Sequence, residues 1–315
     1  MIRIRRPAPA GRNRPVLQAG RAERSRRLFL AAFVIPPLLL YGIFYLWPFL
    51  YAFYISLFRW SGYSNEMTFC GLENFAEAFQ DKIVWTGMKN NLFFLFWSTL
   101  IIFVLSLFFA VCVTRLKVKH PNFFRVVYFF PNTLSIIVVG VLWMFLYNPS
   151  FGLLNAVLNA LGLGGLIQDW LGDRSVVMPA LVAPQAWMYI GFYMVMFIAA
   201  IQNVPEDYYE AATLDGAGQW RQFFCITIPL IWSTLRTALV FFVVNAFART
   251  FALVYVVTEG GPNRASELMT TYLYEQAFTN GKFGYGSAIG VILFAVVCVI
   301  SLTIYKLTER EAVEL

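Results

Sequence analysis

The residues with chemical capacity fall into two groups. The first lies between Asn203 and Pro229, where the chain reads NVPEDYYEAATLDGAGQWRQFFCITIP. Glu206 and Asp207 place acids at the start of a short helix, where the positive end of the helix dipole favours them. Tyr208 to Leu214 predicts about two helical turns. Gly216 and Gly218 permit a sharp reversal. Trp220 to Thr227 predicts a second short helix, and Pro229 opens the next apolar segment. Glu210, Ala211, Ala212, Asp215, Gly216 and Ala217 then form a crest of small residues with carboxylates beside it. Small residues let another surface approach closely, and the acids can pair with a basic or amide group. That is the chemistry of docking. An ordinary amphipathic interface helix has the same pattern, so the residues alone leave both readings open.

The second group lies inside long apolar runs. Gln185 and Tyr189 are four residues apart and share a helix face, which Phe192 and Tyr193 continue. Asn245 and Arg249 are likewise four apart. Amides matched to hydroxyls, with aromatic faces beside them, suit a sugar. Helix–helix hydrogen bonding by Gln185 and Asn245 is the plainer alternative. Arg249 either faces a polar path or snorkels to the membrane surface.

Other chemistries lack their parts. His120 is the single histidine, which disfavours His-based metal sites and Ser-His-Asp triads. Cys70, Cys112, Cys225 and Cys298 match no zinc or disulfide spacing. Gly281-Lys282 is followed by Phe283, so no phosphate-binding loop is present, and ATP hydrolysis by that route is excluded.

The elements that position these residues follow from composition. Of 315 residues, 59% are hydrophobic and 13% charged, with mean hydropathy +0.65. A soluble domain carries about 25% charged residues. An integral membrane protein is therefore expected, and a soluble enzyme is close to excluded. A spanning helix needs about 20 apolar residues. Charge-poor runs predict six spans, at about 29–57, 90–114, 126–147, 177–202, 232–257 and 283–305. Residues 1–27 form a basic tail with nine arginines, 28–315 the membrane domain and 203–229 its longest cytoplasmic loop. The first run is too long for a cleaved signal and reads as a retained span. Placing alternate segments on one side gives 17 Lys and Arg there against 7 on the other. The positive-inside rule then puts both termini in the cytoplasm. The arginine tail reads as topogenic, without a nucleic-acid partner.

The run EAATLDGAGQWRQFFCITIPL resembles the Glu-Ala-Ala loop of binding-protein-dependent ABC importer permeases. Glu210, Ala211, Ala212, Gly216, Ile226 and Pro229 carry the match, and Asp215-Gly216-Ala217 resembles the carbohydrate-uptake branch. GLENFAEAF (71–79), FFRVVYFFPNTLS (123–135), NPSFGLLN (148–155) and TEGGPNRASE (258–267) are similar to segments of the maltose and glycerol-3-phosphate permease-like members.

The resemblance implies an all-α membrane fold, with six transmembrane helices of the type I importer permease kind and a cytoplasmic coupling helix. It implies a bacterial inner-membrane transport subunit rather than an enzyme, with no cofactor of its own. ATP and Mg would be bound by two partner ATP-binding subunits. A second homologous permease, an extracytoplasmic solute-binding protein and a sugar substrate complete the set. Glu210 to Ala217 would couple to the ATPase. Counted back from Glu210, Gln185 matches a substrate-holding amide position of the family and Asn245 matches one approximately; the stripes they belong to would bring Tyr189, Phe192 and Arg249 to the substrate as well, and Arg249 leaves room for an anionic one.

Two other classes fit less well. A membrane-embedded transferase needs paired carboxylates or a histidine at a membrane face. An ion-coupled secondary transporter wants intramembrane acids or inverted halves. No Asp or Glu lies inside the six runs, and no repeat is visible.

Overall fold

The computed structural model describes residues 16–115 and 118–309. The start of the arginine tail, Lys117 and Arg310 lie outside the described residues. The chain divides into two units, residues 1–52 and 53–315.

The first unit is helical. Helix α1, Val16–Tyr41, contains Pro36 and Pro37. A π-helical turn, Gly42–Leu46, leads into α2, Trp47–Ile55. Aromatic side chains one turn apart stack here, Tyr41 on Tyr45 at 5.2 Å and Trp47 on Tyr51 at 6.3 Å.

The second unit opens with a two-stranded antiparallel ribbon, β1 (Phe58–Arg59) paired with β2 (Thr68–Phe69). Short α3, Glu73–Gln80, precedes α4, Lys82–Arg115. Helix α4 starts earlier than the charge-free run because Asp81 caps it, its Oδ1 accepting the Ile83 amide at 2.8 Å. Helix α8, Val177–Gln202, packs along α4 and has the bounds expected for the fourth span.

Between them the third apolar run is not one helix. Helix α5, Pro121–Phe129, and a 3₁₀ turn, Phe130–Thr133, meet α6, Ile136–Leu146, at 98°. Pro131 supplies no backbone donor, and Leu134 and Ser135 are extended, with ψ 148° and 138°. The end of α5 is seated against Gly191 in α8. A side chain there would collide with the carbonyl oxygen of Tyr128. Helix α7, Leu153–Ala160, follows α6.

After α8 come α9, Glu206–Leu214, and α10, Gln219–Gln222. A π turn, Phe223–Thr227, and α11, Ile228–Leu230, continue α10. Ile231 then leaves the helical region, with φ −95° and ψ 8°. Helix α12, Trp232–Val257, departs at 69°. Pro229 therefore ends the loop helix rather than opening the fifth span. Helix α13, Met269–Tyr274, a π turn, Glu275–Thr279, and α14, Phe283–Leu307, complete the chain. Among the described residues four helices are long and apolar enough to cross a membrane, or up to six spans if each bent pair is counted as one.

The largest core cluster joins α4, α8, α9 and α12. It includes Ile102, Tyr193, Met194, Phe197, Tyr209 and Phe242.

Candidate functional site

The loop between α8 and α12 is built from the sequence features that predicted it. Pro205, extended at φ −57° and ψ 137°, stops α8 and starts α9, whose first turn holds Glu206 and Asp207. The helix stops at Gly216, which has φ +76°, a conformation that L side chains seldom adopt. Its Cβ position is open space, so the backbone angle is what demands glycine within this chain. Gly218 has ordinary extended angles, φ −69° and ψ 167°. The side-chain amide of Gln222 fastens the turn, donating to Thr213 Oγ1 at 2.9 Å and to the Ala217 carbonyl at 3.0 Å.

Glu210, Ala211, Asp215 and Gly216 are exposed, while Ala212 and Ala217 are half-buried. Three apolar side chains that the sequence reading passed over join this surface. Leu214 is 89% exposed, Trp220 76% and Phe224 62%. A surface of small residues, two carboxylates and exposed apolar groups is suited to being covered by another protein.

The underside of α9 is held firmly. Tyr209 is buried, and its hydroxyl pairs with Thr227 Oγ1 at 3.1 Å. Arg115, the last residue of α4, lies with its guanidinium 3.6 Å from the centre of the Tyr209 ring. Its Nη1 donates to both carboxylate oxygens of Glu206 at 3.0 Å.

The second group is brought together only in part. Gln185 is fully buried, and its Oε1 accepts from Thr250 Oγ1 at 3.4 Å, while its Nε2 has no partner. Tyr189, one turn on, is buried, and Arg249 lies over its ring at 5.1 Å. The Arg249 side chain therefore lies against the middle of α8. No carboxylate of the described residues lies within ion-pair distance of it. Asn245 is half-buried and donates to the Phe241 carbonyl of its own helix at 2.8 Å. Phe192 is half-buried and packs edge-on to Tyr193 at 5.1 Å.

At the opposite end lies a polar hub with no local sequence signal. Asp81 accepts from the hydroxyls of Tyr272 at 2.6 Å and Tyr285 at 2.8 Å. Burial alone would push this carboxyl up, but the bonds from Tyr272, Ile83 and Tyr285 outweigh it and hold it below its ordinary value. Beside it, Asn90 donates to the carbonyls of Ala265 and Glu267 at 2.9 and 2.8 Å. Asn91 accepts the Met269 amide at 2.9 Å. Arg264 joins Glu267 and Glu275 at 2.9 Å each. Burial pushes the Glu267 carboxyl up against the opposing pull of Thr271 and Arg264.

Among the described residues no group of three or more His, Cys, Asp or Glu is placed to hold a metal ion.

The chain is similar to known proteins over most of its length. It is 38% identical over 267 residues to the probable ABC transporter permease protein YurN of Bacillus subtilis, covering 84% of this chain and 91% of the relative. It is 35% identical to the diacetylchitobiose uptake system permease protein NgcF of Streptomyces coelicolor, covering 96% and 88%. The structure of a bacterial alginate ABC transporter, in complex with an alginate pentasaccharide-bound periplasmic protein, has a chain of the same fold. The TM-score is 0.80 at 23% identity, covering 92% of this chain and 96% of that one. The fold is that of a type I importer permease. Residues 121–313, which hold the exposed loop and both bent helix pairs but for its first turns' partner Arg115, match the family described as the binding-protein-dependent transport system inner membrane component, and the chain belongs to that family.

Proposed function

We propose that this permease imports a sugar or sugar derivative, handed to it by an extracytoplasmic solute-binding protein and driven by separate ATP-binding subunits. The observation that carries the reading is the exposed α9 loop. Its small-residue crest at Ala211 and Gly216 stands free, while its underside is bolted to the membrane core through Tyr209. A loop held on one face and bare on the other is shaped to take a push from a partner. Two ATP-binding subunits and a second, homologous permease complete the complex.

The carbohydrate class is supported by the relatives, one named for diacetylchitobiose and one for alginate. Half-buried Phe192, Asn245 and Arg249 border the path, with Gln185 and Tyr189 behind them as supports. The face carrying α9 is cytoplasmic, as are both termini, in keeping with the Lys and Arg excess of 17 to 7. The hub at Asp81 and Arg264 then faces outward.

The test is reconstitution. The chain purified alone shows no ATPase activity. Together with its ATP-binding subunits, second permease and loaded binding protein it hydrolyses ATP. Turnover by this chain alone contradicts the reading.

A further inference from the structure

We infer that Arg115 is a positioning residue that fastens the coupling helix to α4, so that α9 and α4 move as one body while α12 pivots relative to them at Ile231. The inference rests on the coupling reading of α9 and adds the route by which its motion enters the membrane.

The geometry makes the attachment double. Arg115 is the terminal residue of α4, and its side chain is 24% exposed. It stacks on buried Tyr209 at 3.6 Å and reaches both oxygens of Glu206 at 3.0 Å. Glu206 and Tyr209 are three apart and lie on one side of α9, so a single planar guanidinium holds that side against α4. The ion pair alone would be weak, because the Glu206 side chain is 66% exposed. The stack on a buried ring gives the contact its direction. Tyr209 passes the restraint on, because its hydroxyl bonds Thr227 in the π turn before the bend.

On the far side of Ile231 the attachments go elsewhere. Trp232 Nε1 donates to the Thr308 carbonyl at 2.8 Å. Arg236 donates to the Tyr305 carbonyl at 3.0 Å and lies over the Tyr305 ring at 3.8 Å. Helix α12 is thus pinned to α14 at the same level where α9 is pinned to α4. The 69° bend lies between the two attachments, at a residue outside the helical region. A push on α9 therefore reaches the α4–α8 pair through Arg115 and Tyr209, and reaches the start of α12 across the bend, where α12 is fastened to α14 instead. This differs from a loop that drags the fourth and fifth spans equally.

Spin-label distances in the full complex test this without knowledge of the substrate. Labels are placed at 104 and 207, on α4 and α9, and separately at 207 and 237, on α9 and α12. All four native cysteines are replaced first. Each pair is measured without nucleotide and with ATP and vanadate. The 104–207 distance is expected to stay constant and the 207–237 distance to change. In Arg115→Ala the 104–207 distance changes with nucleotide as well, and ATP-driven movement at 207–237 falls about 5-fold in the fraction of complexes responding. Arg115→Lys, which keeps the charge but not the planar stack, lies between. If Arg115→Ala prevents assembly, Glu206→Ala removes the ion pair from the exposed side and gives the same shift to a smaller degree. A wild-type 104–207 distance that changes with nucleotide overturns the inference, as does an Arg115→Ala complex that behaves like wild type. Gly216→Leu, scored by retention of the ATP-binding subunit, is run in parallel. Its failure to weaken retention would sink the coupling reading itself, whatever the labels show.

Discussion

The guanidinium of Arg249 rests over the ring of Tyr189, 5.1 Å from its centre, and so a cation on α12 is held at the middle of α8. A cation at that depth is costly unless it serves a path or a partner. The ring offsets part of the cost, by about 0.5–2 kcal/mol for a cation–π contact. Tyr189→Phe keeps the ring and is expected to retain uptake. Tyr189→Leu releases the guanidinium and lowers uptake several-fold, at unchanged protein yield. Equal uptake by the two variants removes Arg249 from the path.

Gln185 gives a different expectation. Its Nε2 already lacks a partner and its one bond, to Thr250, is long at 3.4 Å. Replacing both halves of a poorly satisfied pair by apolar groups is nearly neutral. Gln185→Leu with Thr250→Val should therefore change thermal stability by less than about 1 kcal/mol. Unfolding of the detergent-purified chain measures this. A much larger loss would mean that the Gln185–Thr250 pair is bonded more firmly within the chain than its one long contact shows.

The hub at Asp81 predicts an acid limit to stability. Its folded-state value lies below the ordinary one, so its contribution is complete above about pH 4 and is lost as the pH falls through the lowered value. Glu267 has the opposite sign. Its value is raised, so its contribution is largest in acid and is lost as the pH rises through that value. Wild-type melting temperature should fall on acidification below about pH 4, and Asp81→Asn should flatten that limb. An unchanged acid limb in Asp81→Asn would show that the hub is not its source.

Gly191 is expected to be the least replaceable residue of α8. Any side chain meets the Tyr128 carbonyl where α5 ends. Gly191→Val should cost about 3 kcal/mol through overpacking. The readout is the yield of monodisperse protein. Wild-type yield would mean that α5 can withdraw from α8.

Much of the fold was legible because long charge-poor apolar runs are a local signal. The bounds of α8 and α12 follow from them, and the Gly216 turn follows from glycine chemistry. The break at Leu134–Ser135 was not legible. Its apolar run is uninterrupted, and a proline in the first turn of a new helix looks the same as one that ends the old. The Asp81 hub was illegible for another reason. Its partners Tyr272 and Tyr285 are 191 and 204 residues away, and no pattern along the chain pairs them. Arg115 was visible only as one more cytoplasmic charge, because Tyr209 beneath it reads as an ordinary helix residue. Gln185 and Asn245 illustrate the limit of spacing arguments. Their types fit a sugar, but one is buried against Thr250 and the other bonds its own helix.

The most direct test of the central claim is ATP-driven uptake per ATP hydrolysed in vesicles holding the whole complex, comparing wild type with Gly216→Leu and Glu210→Lys. Leucine at 216 meets open space within this chain but must adopt a φ of +76°, and it fills the gap that a docking partner would enter. Glu210→Lys reverses an exposed charge on the same surface. Both proteins are expected to insert normally. Gly216→Leu should lose the ATP-binding subunit, and Glu210→Lys should either lose it or hydrolyse ATP without uptake. If both retain stoichiometric ATP-binding subunits and wild-type uptake per ATP, α9 is only an interface helix and does not couple ATP to transport.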